Sequence, residues 1–237
     1  MSFLKSREPA IDWQAARAHL DERGFVILPA VLAQENCEKI AKFYPEEERF
    51  RSRIEMARYS FGRGEYKYFN YPLPRIIEEI RDSFYPPLLP LANDWNARLR
   101  NKQAAFPATL SEFTRQCHRG GQKRATPLLL KYGPGDFNCL HQDLYGNIVF
   151  PFQITFFLSQ QGKNFEGGEF VIAEQQPRKQ SRVEVLSPKQ GDAVIFAVHH
   201  RPVRGAHGYF RANLRHGVST VRAGERCTLG IIFHDAK

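Results

Sequence analysis

The chain has 237 residues, 42% of them hydrophobic, and carries a formal net charge of +9. A chain of this length can bury one substantial core. It has no apolar run long enough to span a bilayer and no apolar signal region at its N-terminus. Because the four cysteines include no close Cys-x-x-Cys pair, we expect reduced thiols and a cytoplasmic protein, with Cys139 and Cys227 buried in strands.

The N-terminal half is predicted to be mostly helical. Asp12 is a candidate N-cap for a helix that Gly24 would end, and a short strand follows over residues 25–28. Apolar periodicity predicts further helices over 34–43, 74–84, 88–99 and 110–117. Residues 45–72 are predicted to be irregular or a hairpin, and their aromatic side chains are expected to pack in the core rather than stack on bases.

From residue 126 onward the pattern changes to short apolar runs separated by turn residues. Strands are predicted over 128–132, 152–158, 169–173, 193–198, 216–221 and 227–233. Many antiparallel strands of this length suggest a jelly roll. The predicted fold is therefore α+β, with an N-terminal helical and irregular region (1–125) packed on a double-stranded β-helix core (126–237), in a single structural domain.

Two histidines and one carboxylate form a candidate metal site. His141 and Asp143 are two residues apart, so on an extended strand they point to the same face while Gln142 points away. A third donor must come from another strand, and His216 is a candidate because apolar strands flank it. Two His and one carboxylate are the facial ligand set of non-haem Fe(II). A buried His–Asp pair with a structural role is the alternative.

The order of the motifs resembles that of the Fe(II)/2-oxoglutarate-dependent oxygenases. The series begins with Lys131-Tyr132-Gly133-Pro134-Gly135 and His141-Gln142-Asp143, and it continues through residues 165–170, 191–196 and 216–229. The resemblance is strong over residues 126–235. It implies that His141, Asp143 and His216 bind iron, that Arg226 pairs with the far carboxylate of 2-oxoglutarate, and that Thr228 and Tyr132 help to bind this co-substrate.

The resemblance also implies a reaction. With Fe(II), 2-oxoglutarate and O2, such an enzyme hydroxylates a C–H bond and releases succinate and CO2, and ascorbate is expected to stimulate it in vitro. Arg suits the co-substrate because its planar fork of donors matches a carboxylate. The spacing favours His216 over His199 and His200, since Arg226 lies ten residues after His216. We expect His207 and His234 to be solvated or to lie behind the metal ligands.

Three families share this pattern in whole or in part. The stretch from Tyr132 through Asp143 is similar to that of AlkB-type nucleic-acid repair dioxygenases, and the whole chain resembles a bacterial family described as oxygenases for oxidative demethylation of damaged DNA. Leu130 stands where AlkB has Asn. The ten-residue gap from His216 to Arg226 and residues 165–169 are more similar to prolyl-4-hydroxylase-type enzymes.

Basic residues cluster in two connections of the predicted core. Loops commonly carry substrate contacts, and basic side chains beside aromatic ones suit phosphate contact and base stacking. A solvated charged loop is the alternative. The candidate substrate residues are Arg178, Arg182, Arg201 and Arg204.

Three functions follow as hypotheses. The first is an oxygenase that demethylates alkylated DNA or RNA, the second a hydroxylase of a protein side chain or small metabolite, and the third a non-catalytic jelly-roll binding module. The chain contains all four of His141, Asp143, His216 and Arg226, which argues against a non-catalytic module, because loss of any one of them would indicate an inactive site.

Overall fold

The computed structural model describes residues 11–101 and 105–237. Within these ranges there are four α-helices: α1 Trp13–Arg23, α2 Gln34–Ala41, α3 Arg75–Arg98 and α4 Leu110–Arg119. The strands are β1 Phe25–Leu28, β2 Phe50–Glu55, β3 Gly62–Arg63, β4 Glu65–Phe69, β5 Leu128–Tyr132, β6 Phe137–His141, β7 Phe152–Phe157, β8 Phe165–Gly167, β9 Phe170–Gln175, β10 Arg182–Leu186, β11 Ala193–Ala197, β12 His200–Gly205, β13 Gly208–Val218, β14 Val221–Gly224 and β15 Arg226–Ile232.

The α+β class is confirmed, with antiparallel strands throughout two large sheets. One sheet has seven strands in the order β1-β11-β7-β15-β5-β4-β2, and the other has the order β10-β9-β13-β6-β3, with β12 paired to β13. The sheets pack face to face, because the ring of Phe170 in β9 lies 6.0 Å from that of Phe157 and 5.2 Å from that of Phe196. The core therefore lies between the sheets.

The N-terminal half contributes strands as well as helices to this architecture. Residues 45–72, predicted to be irregular or a hairpin, contain β2, β3 and β4, and β4 pairs with β5 of the seven-stranded sheet. Tyr68 and Phe69 are buried, as expected for core aromatics, whereas Phe61 and Tyr71 are exposed. The sequence pattern underestimated this region because charged and aromatic residues are mixed in it and Gly62 and Gly64 interrupt the periodicity. One of the charged residues, Lys67, is buried in β4, where its ammonium group donates to the Tyr44 carbonyl at 2.9 Å.

The predicted start and end of α1 are confirmed. The Asp12 carboxylate accepts a hydrogen bond of 3.0 Å from the Ala15 amide, and Gly24 ends the helix in the left-handed region with φ of 78°. The prediction of separate helices over 74–84 and 88–99 was wrong, because α3 runs unbroken through Pro86, Pro87 and Pro90. A proline inside a helix costs about 3 kcal/mol. The buried face of α3 offsets this cost by packing Ile80, Phe84, Leu88 and Trp95 into the core.

The strand predictions hold for most of the C-terminal half. The exception is 216–221, where β13 instead extends from Gly208 to Val218 and a separate β14 begins at Val221. The expectation for Cys227 is confirmed, since it is buried, and that for Cys139 was wrong, since it is exposed. In the described ranges no helix is long and apolar enough to cross a membrane.

Polar contacts hold the C-terminal end of the chain against α3 and α4. The buried Asp235 carboxylate accepts hydrogen bonds from the Tyr71 hydroxyl at 2.9 Å and lies 2.8 Å from His118 Nε2. The buried guanidinium of Arg81 lies 3.5 Å from the same carboxylate and donates to the Phe233 carbonyl at 2.8 Å. These bonds fix the end of the chain, and with it His234, behind the cavity described below.

His234 should make stability depend on pH. Its ring is fully buried, and burial lowers its pKa to about 4, whereas an unfolded His titrates near about 6.5. As the pH falls, His234 therefore takes up a proton in the unfolded chain before it does so in the folded protein. The contribution of His234 to the free energy of unfolding is constant above about pH 6.5. It falls as the pH drops toward 4, by up to about 1.4 kcal/mol per pH unit. When the free energy of unfolding is measured in urea between pH 7 and 5, it should fall less steeply with decreasing pH in His234→Asn than in wild type. The control is His207→Asn, because His207 is exposed. If the free energy of unfolding of His234→Asn depended on pH as steeply as that of wild type, His234 would not be the source of the pH dependence.

Candidate active site

A cavity of about 160 Å³ opens between the two sheets. The walls include residues of β4, β5, β6, β7, β9, β13 and β15, so that residues far apart in sequence face one space. All six residues predicted to bind the metal and the co-substrate line it: Tyr132, His141, Asp143, His216, Arg226 and Thr228.

His141, Asp143 and His216 lie at one end of this cavity. His141 ends β6 and faces His216 of β13 in the antiparallel register, and Asp143 follows β6 directly. The Asp143 carboxylate lies 3.6 Å from His141 Nε2 and 3.3 Å from His216 Nε2. One ligand atom from each residue falls within 4.8 Å of the others. The donor set fits a divalent metal with open coordination positions, as in non-haem Fe(II) sites.

Hydrogen bonds orient the donors of this triad. His141 Nδ1 donates to the Cys139 carbonyl at 2.8 Å, which leaves the Nε2 lone pair facing Asp143. The Asp143 carboxylate accepts from the Tyr145 hydroxyl at 2.7 Å and from the Gln153 amide at 2.8 Å. The Gln142 amide is directed away from the triad and donates to the Leu214 carbonyl of β13 at 2.6 Å.

The electrostatics of the triad suit metal binding. Burial alone would raise the pKa of Asp143, but the hydrogen bond to His216 and the charges of both histidines hold that pKa well below its usual range. Burial, followed by the nearby charge of His141, lowers the pKa of His216. An ionised carboxylate and a neutral imidazole are the protonation states in which these side chains bind metals.

Tyr145→Phe should weaken metal binding without unfolding the protein. The substitution removes the hydroxyl that donates to Asp143, and loss of such an orienting partner typically costs about 10- to 100-fold in metal affinity. Tyr68→Phe is a matched control, because the Tyr68 hydroxyl donates to Tyr145 at 2.9 Å and not to Asp143. Titration of both variants with Mn(II) should separate them; equal affinities would show that Tyr145 does not orient the carboxylate.

Arg226 lies in the same cavity, and its guanidinium is buried. The residue is 1% exposed, and none of its three guanidinium nitrogens has a hydrogen-bond partner within residues 11–101 and 105–237. The guanidinium carbon lies 5.3 Å from the Tyr132 ring centroid and 5.4 Å from that of Phe157. Burial lowers the pKa of Arg226. A buried cation without a partner is costly, so this pocket is built for an anion.

Tyr132 and Thr228 flank this anion pocket. Tyr132 lies opposite Arg226 in the pairing of β5 with β15, and Asn138 donates to its hydroxyl at 3.3 Å. Burial raises the pKa of Tyr132 to about 12, so its hydroxyl stays protonated and can donate. Thr228, two residues after Arg226, lines the same cavity, as strand alternation predicts.

The other candidate histidines lie elsewhere. His199 and His200 line a second cavity of about 160 Å³ beside Trp95 and Phe106, and their ring centroids are 3.4 Å apart. Of the described histidines, it is His216 that joins His141 and Asp143. His234 is not solvated, and its ring centroid lies 6.1 Å from that of Tyr145, behind Asp143.

The four arginines predicted to contact substrate lie outside the cavity. Arg201 is 9% exposed and pairs with Glu174, and its guanidinium also donates to the Asp21 carbonyl at 3.3 Å. Arg178, Arg182 and Arg204 are exposed around β9, β10 and β12, and none of them is among the described residues that line the cavity. A substrate role for these three remains a prediction.

Sequence reasoning missed several residues of the site. Tyr145 and Gln153 bond to Asp143, and Phe61 and Tyr66 line the cavity from the N-terminal half. One signal was present for Gln153, which alternates with Thr155 as a polar residue in the otherwise apolar β7. Two polar residues spaced by two in a buried strand face one side, and here that side is the cavity.

Comparison with known proteins identifies the family. A family described as "Oxygenase, catalysing oxidative methylation of damaged DNA" matches residues 64–236. This chain belongs to that family. In this member of the family, the donor triad lies in one cavity with Arg226, whose guanidinium has no hydrogen-bond partner among the residues that the structure describes.

Two proteins of Mycobacterium tuberculosis, from strains CDC 1551 / Oshkosh and ATCC 25618 / H37Rv and both described as uncharacterized, are each 46% identical over 168 residues, which cover 71% of this chain and 72% of theirs.

The fold is similar to that of a prolyl-4-hydroxylase from Pseudomonas putida (TM-score 0.53, 14% identity, 95% of this chain and 99% of that one). It is also similar to a viral collagen prolyl hydroxylase from Paramecium Bursaria Chlorella virus-1 (TM-score 0.52, 13% identity, 89% and 95%).

Proposed function

We propose that this oxygenase hydroxylates the N-methyl carbon of alkylated nucleic acid, after which the product loses formaldehyde. The observation that carries the co-substrate assignment is the buried guanidinium of Arg226, which has no hydrogen-bond partner among the described residues and lies in the same cavity as the triad. The family description and the net charge of +9 support a nucleic-acid substrate. We further propose that the two packed sheets form a double-stranded β-helix.

Six residues of the cavity have a proposed role in binding the metal or the co-substrate. His141, Asp143 and His216 hold Fe(II), which supplies the activation of O2 and the oxidative decarboxylation of 2-oxoglutarate to succinate and CO2. Arg226 binds the far carboxylate of 2-oxoglutarate through paired N–H donors, and Thr228 and Tyr132 offer hydroxyl donors beside it. The apolar rings around Arg226 exclude water, which strengthens this charge pairing.

Turnover of methylated DNA tests the function. The full-length protein would be given Fe(II), ascorbate, 2-oxoglutarate and air, with N-methylated single-stranded DNA, and with unmethylated DNA of the same sequence as the control. We expect succinate to rise only with the methylated strand, with formaldehyde in equal amount, and both products to be lost in His141→Ala.

Two other results would redirect the assignment. Succinate that rises instead with a proline-containing peptide, without formaldehyde, would indicate a side-chain hydroxylase. No succinate under any condition, from a folded protein that binds metal, would contradict the catalytic proposal and favour a binding module.

A further inference from the structure

Two large aromatic side chains stack on each other in solvent, on a segment that reaches the cavity. The rings of Tyr59 and Phe61 lie 5.5 Å apart with an interplanar angle of 20°. Tyr59 is 55% exposed and Phe61 is 46% exposed. Contiguous exposed aromatics lose the stabilisation that burial would provide, and such patches commonly mark a binding surface.

The backbone of this pair is fixed to the strand that carries His141. The Phe61 carbonyl accepts from the Cys139 amide at 2.8 Å, and the Phe61 amide donates to the Met56 carbonyl at 3.2 Å. The next residue, Gly62, packs so closely on β6 that an added Cβ would lie 2.3 Å from the Phe137 carbonyl oxygen. The stack is therefore held in a constant position relative to the triad, as a substrate-positioning element requires.

The size of the cavity places the bulk of the substrate outside it. Phe61 lines the cavity together with His141 and Arg226, so the stack lies at its wall and extends into solvent. The cavity volume of about 160 Å³ is below the roughly 300–1,000 Å³ of pockets that enclose whole ligands. Because 2-oxoglutarate occupies part of this volume, only the reacting group of the main substrate can enter, and the remainder must rest at the mouth.

Two exposed arginines flank the stack in the sequence. Arg58 pairs with Glu55 at 2.7 Å, and Arg63 lies 3.4 Å from Asp136. Both guanidinium groups are largely exposed, with side-chain exposures of 72% and 66%. Exposed pairs of this kind hold their partners weakly, so either arginine can turn to a phosphate. Aromatic rings beside arginines are the combination that binds single-stranded nucleic acid.

We propose that the Tyr59–Phe61 pair is a stacking platform for a nucleobase of single-stranded nucleic acid. The base lies on the exposed ring face, its flanking phosphates contact Arg58 and Arg63, and its alkyl group points into the cavity. This inference rests on the proposed function and assigns the substrate contacts to the segment from Arg58 to Arg63 rather than to the arginines around β10 and β12.

Binding without turnover tests the platform. Full-length protein loaded with Mn(II) and 2-oxoglutarate would be titrated into fluorescently labelled, N-methylated single-stranded DNA, and its anisotropy followed. Loss of base stacking on one aromatic side chain typically weakens binding roughly 5- to 100-fold. We expect that loss in Phe61→Leu and in Tyr59→Leu, recovery in Phe61→Trp, and melting temperatures equal to wild type. Tyr209→Leu is the matched control, since Tyr209 is 43% exposed on β13 and does not line the cavity.

The outcomes separate this inference from the function on which it rests. If wild type releases formaldehyde from methylated DNA but Phe61→Leu binds that DNA as tightly, the platform is wrong and the function stands. A loss in Tyr209→Leu instead would move the contact to β13. If wild type neither binds the DNA nor releases formaldehyde, and Phe61→Leu weakens binding of a proline-containing peptide, both proposals fail and the stack binds peptide.

Discussion

Arg226→Met should greatly weaken binding of 2-oxoglutarate and leave the free protein at least as stable as wild type. In the free protein, Arg226 is a fully buried cation whose nitrogens lack partners within the described residues. Replacing such a charge with an apolar side chain of similar volume is often neutral or stabilising by about 1–4 kcal/mol. Each hydrogen bond from a charged donor contributes about 1.5–3 kcal/mol, so losing a paired carboxylate contact should weaken binding by about 100-fold or more.

Calorimetric titration of 2-oxoglutarate in the presence of Mn(II), together with urea unfolding, measures both effects. Arg201→Met is the matched control, because Arg201 is also nearly buried but pairs with Glu174. Breaking that pair should destabilise the protein by about 3–5 kcal/mol and leave 2-oxoglutarate affinity unchanged. An Arg226→Met variant that is destabilised like Arg201→Met and still binds 2-oxoglutarate would show that Arg226 has a structural role.

Asp143→Asn should remove metal binding with little change in shape. The carboxylate lies between two imidazoles and supplies the one negative charge of the described donor triad. The amide preserves the volume but not the charge, and we expect the affinity for Mn(II) to fall by at least about 100-fold, more than for loss of an orienting partner.

The thermal shift produced by metal provides the measurement. A metal at 100 times its Kd stabilises the folded state by about 2.7 kcal/mol, and this stabilisation should vanish in Asp143→Asn. Asp136→Asn is the control, because Asp136 accepts from the Gly133 amide at 2.8 Å and lies outside the triad. A full metal-induced shift in Asp143→Asn would exclude Asp143 as a ligand.

The candidate site was predictable largely because its residues obey local rules. His141 and Asp143, and likewise Arg226 and Thr228, are spaced by two, and alternation along an extended chain places each pair on one face. The capping of α1 by Asp12 and Gly24 was predictable for a similar reason, since the bonds that end a helix come from within a few residues. The family resemblance then joined the two strand segments.

Contacts between distant segments were not predictable in the same way. The helix continues through Pro86, Pro87 and Pro90 because its buried face packs in the core. The helical propensity of these residues gives no information about that packing. Arg201 looked like a surface residue of a basic cluster until the fold placed Glu174 beside it. Phe61 was assigned to the core, but the pairing of the adjacent β3 with β6 leaves it at the cavity and partly in solvent.

By itself, the sequence determined which chemical groups this protein can offer: two imidazoles, a carboxylate and a guanidinium, at spacings typical of an iron- and 2-oxoglutarate-binding oxygenase. Only the tertiary structure decided that His216 of β13 lies opposite His141 of β6, that Tyr145 and Gln153 orient Asp143, and that Arg226 is buried with no hydrogen-bond partner among the described residues. The physical reason is that spacing along a strand sets the direction of a side chain, whereas its neighbours, burial and electrostatic environment depend on which strands pair and how the two sheets pack.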